Sequence, residues 1–255
     1  MKRCVFALAV IPLFLLPAHA APALENDQSK AEAILDRAIR ACGGEKEVGK
    51  LQVVVKASST TLLTGGGASR GTDYEISWQS PARIRTEYCF AAAAANRTYI
   101  RVFDGDKAWL LLNGTVRELA KSAQTPYGPE RAAAFGAELI AFKGNDYRLT
   151  ALGKVKVDDQ EFIGVKVAHE GDPAFTLYFD KDTNLLVKRV VTLPAPTPAA
   201  KETEIEVRYE DYKESGKIKY ASKVSIIRPG RTMEMNVTEF KPVEKLDDSL
   251  FKKPE

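Results

Sequence analysis

From residue 51 onward, apolar and polar side chains alternate almost one for one. Tyr74, Ile76 and Trp78 interleave with Glu75, Ser77 and Gln79. Ile205, Val207 and Tyr209 interleave with Glu204, Glu206, Arg208 and Glu210, and Met233, Met235 and Val237 with Glu234, Asn236 and Thr238. A period of two is the mark of an antiparallel strand with one face on a core and the other in water. Comparable runs fall at 51–63, 97–103, 107–112, 115–119, 146–157, 161–169, 174–180, 185–193 and 218–228. Gly65-Gly66-Gly67, Asp104-Gly105, Asn113-Gly114, Asp158-Asp159 and Asp180–Asn184 separate them as turns. The pattern predicts about a dozen strands in a long meander. It lacks the regular alternation of strand and helix that a parallel sheet demands.

Two stretches switch to helical spacing. In Ser29–Cys42, Ala31, Ile34, Leu35, Ala38 and Cys42 share one side, while Asp36, Arg37 and Arg40 mark the polar side. Ser29 is placed to cap this helix with Glu32 three residues on, and Gly43-Gly44 ends it. Pro129–Phe142 reads as a second helix, inserted in the run of strands. Ala132, Phe135, Leu139 and Phe142 lie on one face, and Ala133, Ile140 and Ala141 widen the apolar surface. A helix this apolar must be enclosed, and the only large element available to enclose it is the sheet. Pro194–Pro198 forms a stiff loop too short to divide domains, so residues 21–255 read as a single domain of mainly β, α+β class.

The first twenty residues stand apart. Lys2 and Arg3 precede an apolar run from Val5 to Leu16, and Pro17-Ala18-His19-Ala20 follows. This is the layout of a secretory signal peptide, with cleavage expected between Ala20 and Ala21. The run is too short to span a bilayer, and Cys4 lies before it, where it cannot become an acylated lipoprotein cysteine. The mature chain is expected to be exported to an oxidising compartment. Removing residues 1–20 takes the 37 basic residues to 35 against 34 acidic ones. A balance so near neutrality gives no electrostatic footprint for nucleic acid or for an anionic membrane surface. In an oxidising compartment Cys42 and Cys89 could pair. The alternation of Ile84, Tyr88 and Phe90 instead puts Cys89 on the charged side of its strand, away from the helix, so both thiols are expected to be reduced.

Candidate chemistry is sparse. His19 and His169 are the only histidines, which excludes a multi-histidine metal site. His169 has no nucleophile motif to serve, and no G-x-S-x-G elbow is present. Asp180–Asn184 opens like a calcium-binding loop, but Leu185 and Val191 occupy the positions that require glycine and glutamate. No catalytic, metal-binding or cofactor-binding residue is assigned, and no cofactor is expected. What remains is an apolar complement able to line a cavity on a concave sheet: Trp78, Tyr88, Phe90, Trp109, Phe135, Leu139, Phe142, Phe175 and Leu177. A single large sheet with few helices tends to hold apolar ligands on its concave side.

The order of elements and several short motifs carry a resemblance. They are a helix ending Ala41-Cys42-Gly43-Gly44, a strand entered at Lys50-Leu51-Gln52, Val102-Phe103-Asp104-Gly105-Asp106-Lys107-Ala108-Trp109, Leu177-Tyr178-Phe179-Asp180, and a close at Leu246–Pro254. Over nearly all of 28–254 the chain resembles the bacterial outer-membrane lipoprotein-sorting superfamily, the LolA/LolB-like proteins. The resemblance implies an incomplete antiparallel β-barrel whose helices cover a concave apolar face. It also implies a non-enzymatic carrier of an acyl chain, lipid or lipoprotein, or, as the alternative, an envelope sensor or interaction module whose partner is another envelope protein. No individual residue role is carried over from it.

Overall fold

The computed structural model describes residues 21–255 apart from 65, 69–70, 80–82, 91–98, 106, 120–134, 158 and 196–200, with the side chains of 21–26, 89–90 and 135–137 also outside the description. Thirteen strands form one antiparallel sheet. In chain order they are β1 (Gln52–Leu63), β2 (Thr72–Gln79), β3 (Arg83–Phe90), β4 (Tyr99–Asp104), β5 (Lys107–Leu112), β6 (Thr115–Glu118), β7 (Tyr147–Val157), β8 (Gln160–His169), β9 (Phe175–Asp180), β10 (Leu186–Leu193), β11 (Thr203–Ser215), β12 (Ile218–Arg228) and β13 (Arg231–Pro242). The spatial order is β6-β5-β4-β3-β2-β1-β13-β12-β11-β10-β9-β8-β7. Two meanders therefore run outward from a central seam made by the first strand and the last. Val55 faces Phe240 there, and a bulge at Lys56/Ala57 resets the register.

The connection from β6 to β7, residues 119–146, joins the two opposite edges of the sheet. The sheet does not close. A twisted sheet of this many strands curls rather than staying flat, and the side chains of its inner face fall into one continuous core.

Turn chemistry explains the hairpins. Asn113 and Gly114 both have positive φ, 50° and 77°, the two-residue geometry that matches the right-handed twist of the flanking strands β5 and β6. Asp180 turns the chain after β9. Its carboxylate accepts the Asp182 and Thr183 N–H groups and the Thr183 hydroxyl, so its oxygen is engaged in shaping the loop.

Helices α1 (Ala21–Ala41), α2 (Glu45–Val48) and α3 (Phe135–Ala141) gather on the inner side. α1 extends further upstream than the spacing implies, so Ser29 lies inside it and does not cap it. The reason lies one residue earlier. Gln28 accepts the Leu149 backbone N–H at 2.6 Å and donates to Glu32 at 2.8 Å, which holds this turn of α1 against β7. Ala31, Ile34, Leu35, Ala38, Ile39 and Cys42 are buried against the sheet. The proposed helix at 129–142 is seen from Phe135; its first part, residues 129–134, lies outside the described residues, as does the signal segment. No helix among the described residues is long and apolar enough to cross a membrane.

The close of the chain is structural. A 3-10 turn at Asp248–Phe251, capped by the Asp247 carboxylate, packs on β3 and β4. Arg83 clasps it, donating to Asp104 at 2.9 Å and Asp248 at 2.7 Å, with its guanidinium 4.9 Å from the centre of the buried Phe251 ring.

Candidate functional site

The inner face is built by strand parity. Ile76 and Trp78 on β2 stand opposite Thr86 and Ile84 on β3, and Phe103 on β4 stands opposite Ile84. On the other half, Leu177 and Phe175 on β9 stand opposite Arg189 and Val191 on β10. Of the side chains expected to line a cavity, Trp78, Leu139, Phe142, Phe175 and Leu177 are buried in one continuous core, with the half-buried Tyr88 packed against it. Phe142 is the junction between α3 and the sheet. Its ring meets Phe175 and Tyr147 edge to face, each at 5.3 Å.

Trp109 does not join them. Its cross-strand partner is Val102, and it packs with Ile100, Leu111 and Val116 in a second, smaller cluster. The alternation Lys107-Ala108-Trp109-Leu110 explains the sorting, because Ala108 and not Trp109 takes the inward position beside Phe103. The side chains of Phe90 and Phe135 lie outside the described residues. Cys42 is a free, buried thiol, while the side chain of Cys89 is not described. His169 sits at the end of β8, with Nδ1 3.0 Å from the Asp172 carboxylate and its ring 5.1 Å from that of Tyr147.

The feature that sequence reasoning missed is a buried ion pair in the middle of this apolar face. Arg189 on β10 donates to Glu138 on α3 at 3.4 Å, and both side chains are about 95% removed from water, at 4% and 5% exposure. The guanidinium lies 4.0 Å from the centre of the Phe175 ring. Tyr209, diagonal to Arg189 across the β10–β11 ladder, completes the group by a hydrogen bond with Arg189. Burial pushes its phenol far above the ordinary range, so it stays neutral. Two charges in a low-dielectric core are costly unless each compensates the other. The pair therefore ties α3 to the sheet at one seating.

A signal for it existed. Glu138 is the lone charge in the stretch Ala132–Phe142, and Arg189 falls on the inward parity of a strand whose neighbours there are apolar. At the exit of α3, Lys143 donates to Asp36 of α1 at 2.6 Å, with Glu45 of α2 3.9 Å away. The hydrogen bond with Asp36 raises the ammonium pKa of Lys143.

A ladder of tyrosines runs along the same face near its polar end. Tyr74 and Tyr88 meet edge to face at 5.0 Å, Tyr88 and Tyr99 at 4.4 Å, and the Ser59 hydroxyl donates to the Tyr74 hydroxyl at 2.9 Å. Among the described residues there is no group of three or more histidine, cysteine or carboxylate side chains placed to hold a metal ion. The site is an apolar face covered by α1 and α3, with the Glu138–Arg189 pair inside it.

Solved structures with this architecture are known. A LolA superfamily protein from Nitrosomonas europaea superposes with a TM-score of 0.62 at 15% identity, over 88% of this chain and 97% of that one. A putative outer-membrane lipoprotein-sorting protein domain from Vibrio parahaemolyticus gives 0.62 at 14%, over 89% and 97%. The chain has the LolA-type fold. A DUF1329 family protein from Desulfovibrio piger shares it, at 0.62 and 13%, over 87% and 97%. No family model matches the sequence, and no curated protein does. Sequence identity of this order carries the LolA-type architecture alone, so the task of the concave face must be argued from the face itself.

Proposed function

We propose that the protein is a non-enzymatic binding protein for the acyl chain of a lipid or lipoprotein, working in the periplasm after removal of residues 1–20. The observation that carries the reading is the way α3 is held. A core helix needs no internal charge to stay in place, whereas α3 rests on apolar side chains and carries the buried Glu138–Arg189 pair to the sheet. That construction suits a cover with a closed seating and an open one. The LolA-type fold of proteins named for lipoprotein sorting supports the same reading. In this picture Trp78, Leu139, Phe142, Phe175 and Leu177 face the chain of the ligand, and α3 moves to admit it.

The test is uptake of a fluorescent fatty-acid analogue, with thermal unfolding run on the same samples. Wild-type protein is expected to bind it. Leu139→Asp places a charge at a fully buried position of α3, which is expected to release the helix and to change binding more than it lowers the melting temperature. Wild-type protein that takes up no such probe overturns the reading. Native mass spectrometry of protein purified from its own envelope gives an independent answer: co-purifying lipid supports the carrier, and a clean apo mass favours an interaction module of the same fold.

A further inference from the structure

On the inner face of β2 and β3 two polar atoms are sealed from water with no hydrogen-bond partner, the indole Nε1 of Trp78 and the hydroxyl Oγ1 of Thr86. Both residues are 0% exposed. They are diagonal neighbours on one face, because Trp78 stands opposite Ile84 while Thr86 stands opposite Ile76. Such diagonal pairs lie roughly 7–8 Å apart at the backbone, within reach of one small group touching both side chains. Arg101 on β4 faces Thr86 from the other side, and its guanidinium carbon lies 5.5 Å from the centre of the Phe103 ring. The surrounding walls are Val53, Val55, Ile76, Ile84 and Phe103, all apolar and buried.

A buried polar atom without a partner is costly, and folded proteins hold few of them. Valine fills nearly the same shape as threonine without that penalty, so packing alone does not call for a hydroxyl here. The chemistry of the set is one-sided. An indole N–H and a guanidinium only donate, and a hydroxyl donates readily. Two partnerless donors in an apolar surround, with a guanidinium on the neighbouring strand to add positive charge, fit an acceptor oxygen.

We propose that Trp78, Thr86 and Arg101 form a subsite for the acyl oxygen of the ligand, the carboxylate of a free acid or the carbonyl of an ester. The inference rests on the carrier reading and adds a direction to it. The ligand lies with its oxygen end against β2–β4 and its hydrocarbon tail along the face toward β9, β10 and α3. This orientation separates the two ends of an amphiphile by residues already in place: donors at one end, and Leu139, Phe142, Phe175 and Leu177 at the other.

The experiment uses the full mature chain, the neutral apolar probe N-phenylnaphthylamine, and competition by palmitate, methyl palmitate and hexadecane. Thr86→Val exchanges a hydroxyl for a methyl at constant shape, and Trp78→Phe removes the N–H while keeping a ring. Each is expected to weaken palmitate about five- to tenfold, the size of one lost hydrogen bond. For Thr86→Val, hexadecane competition and the melting temperature are expected to stay at the wild-type values or rise. Methyl palmitate losing as much as palmitate identifies the carbonyl as the recognised oxygen. Loss confined to palmitate identifies the carboxylate. Wild-type palmitate affinity in both variants overturns the subsite and leaves the carrier reading standing. A wild-type protein that binds neither probe nor palmitate overturns both. Thr86→Val decides the matter by itself if Trp78→Phe does not fold.

Discussion

Cys42 lies at the C-terminal end of α1, where burial pushes its thiol up to about 11 against the opposing pull of Lys219. The thiolate is the reactive form. Alkylation of folded protein at pH 8 is therefore expected to spare Cys42, with the label appearing there only after denaturant. Rapid labelling of native protein, read by peptide mapping, would show that the end of α1 opens. Asp180 gives the opposite kind of shift. The Thr183 N–H first, then the Thr183 hydroxyl and the Asp182 N–H, hold its carboxyl below the usual range. A carboxyl lowered by folding contributes stability that is complete above its unfolded value near 4 and is lost as the pH falls through the folded value. Asp180→Asn is expected to cost about 1 kcal/mol at pH 7. The gap from wild type should narrow as the pH falls below that unfolded value. An equal gap at pH 7 and pH 2.5 would assign the loss to loop geometry instead of charge.

At the scale of elements, α3 and its ion pair make the sharpest prediction. Arg189→Met strands Glu138 in the core, a loss of about 3–5 kcal/mol for a buried pair broken on one side. Adding Glu138→Leu removes the stranded charge and is expected to recover most of that stability, because a packed apolar pair replaces the ionic one at little or no cost. The double variant should then seat α3 more permanently and slow ligand uptake. Stability that does not return in the double variant would show that the pair specifies the packing around it. Two strands flanking this site were legible from parity alone: β9 and β11 alternate cleanly, and their inward residues are the buried ones, whereas β10 is broken by a bulge between Leu186 and Lys188. Glu138 was not. The helical pattern of Pro129–Phe142 describes an apolar cylinder, and a single acid within it acquires meaning only when a strand distant in sequence supplies Arg189. The sorting of Trp109 to the outer cluster was hidden for a related reason. Lys107-Ala108-Trp109-Leu110-Leu111 is apolar on both parities, and only the pairing of Ala108 with Phe103 fixes which side faces in.

For the whole molecule the decisive contact is the seam between β1 and β13, which pairs the beginning of the sheet with its end. Composition and periodicity predicted a meander, and they carried no information about where its ends meet. Strand pairing so distant in sequence is slow to form and is made late. Val55 is fully buried in the seam beside Phe240. Val55→Ala is expected to cost about 2 kcal/mol. It should also shift far-UV circular dichroism and tryptophan fluorescence together, since Trp78 shares its core with the strands of the other meander. Transitions that separate in the two signals would show that the halves unfold independently.

The chain leaves the sheet at β6 on one edge and re-enters it at β7 on the other, with α3 between them in sequence and the Glu138–Arg189 pair fastening that helix to β10. The two limbs are thus tethered twice, once by the hydrogen bonds of the β1–β13 seam and once by the covalent chain. A single cut between β6 and α3 would break no pairing among the thirteen strands, yet it would leave the seam as the sole tie between the limbs.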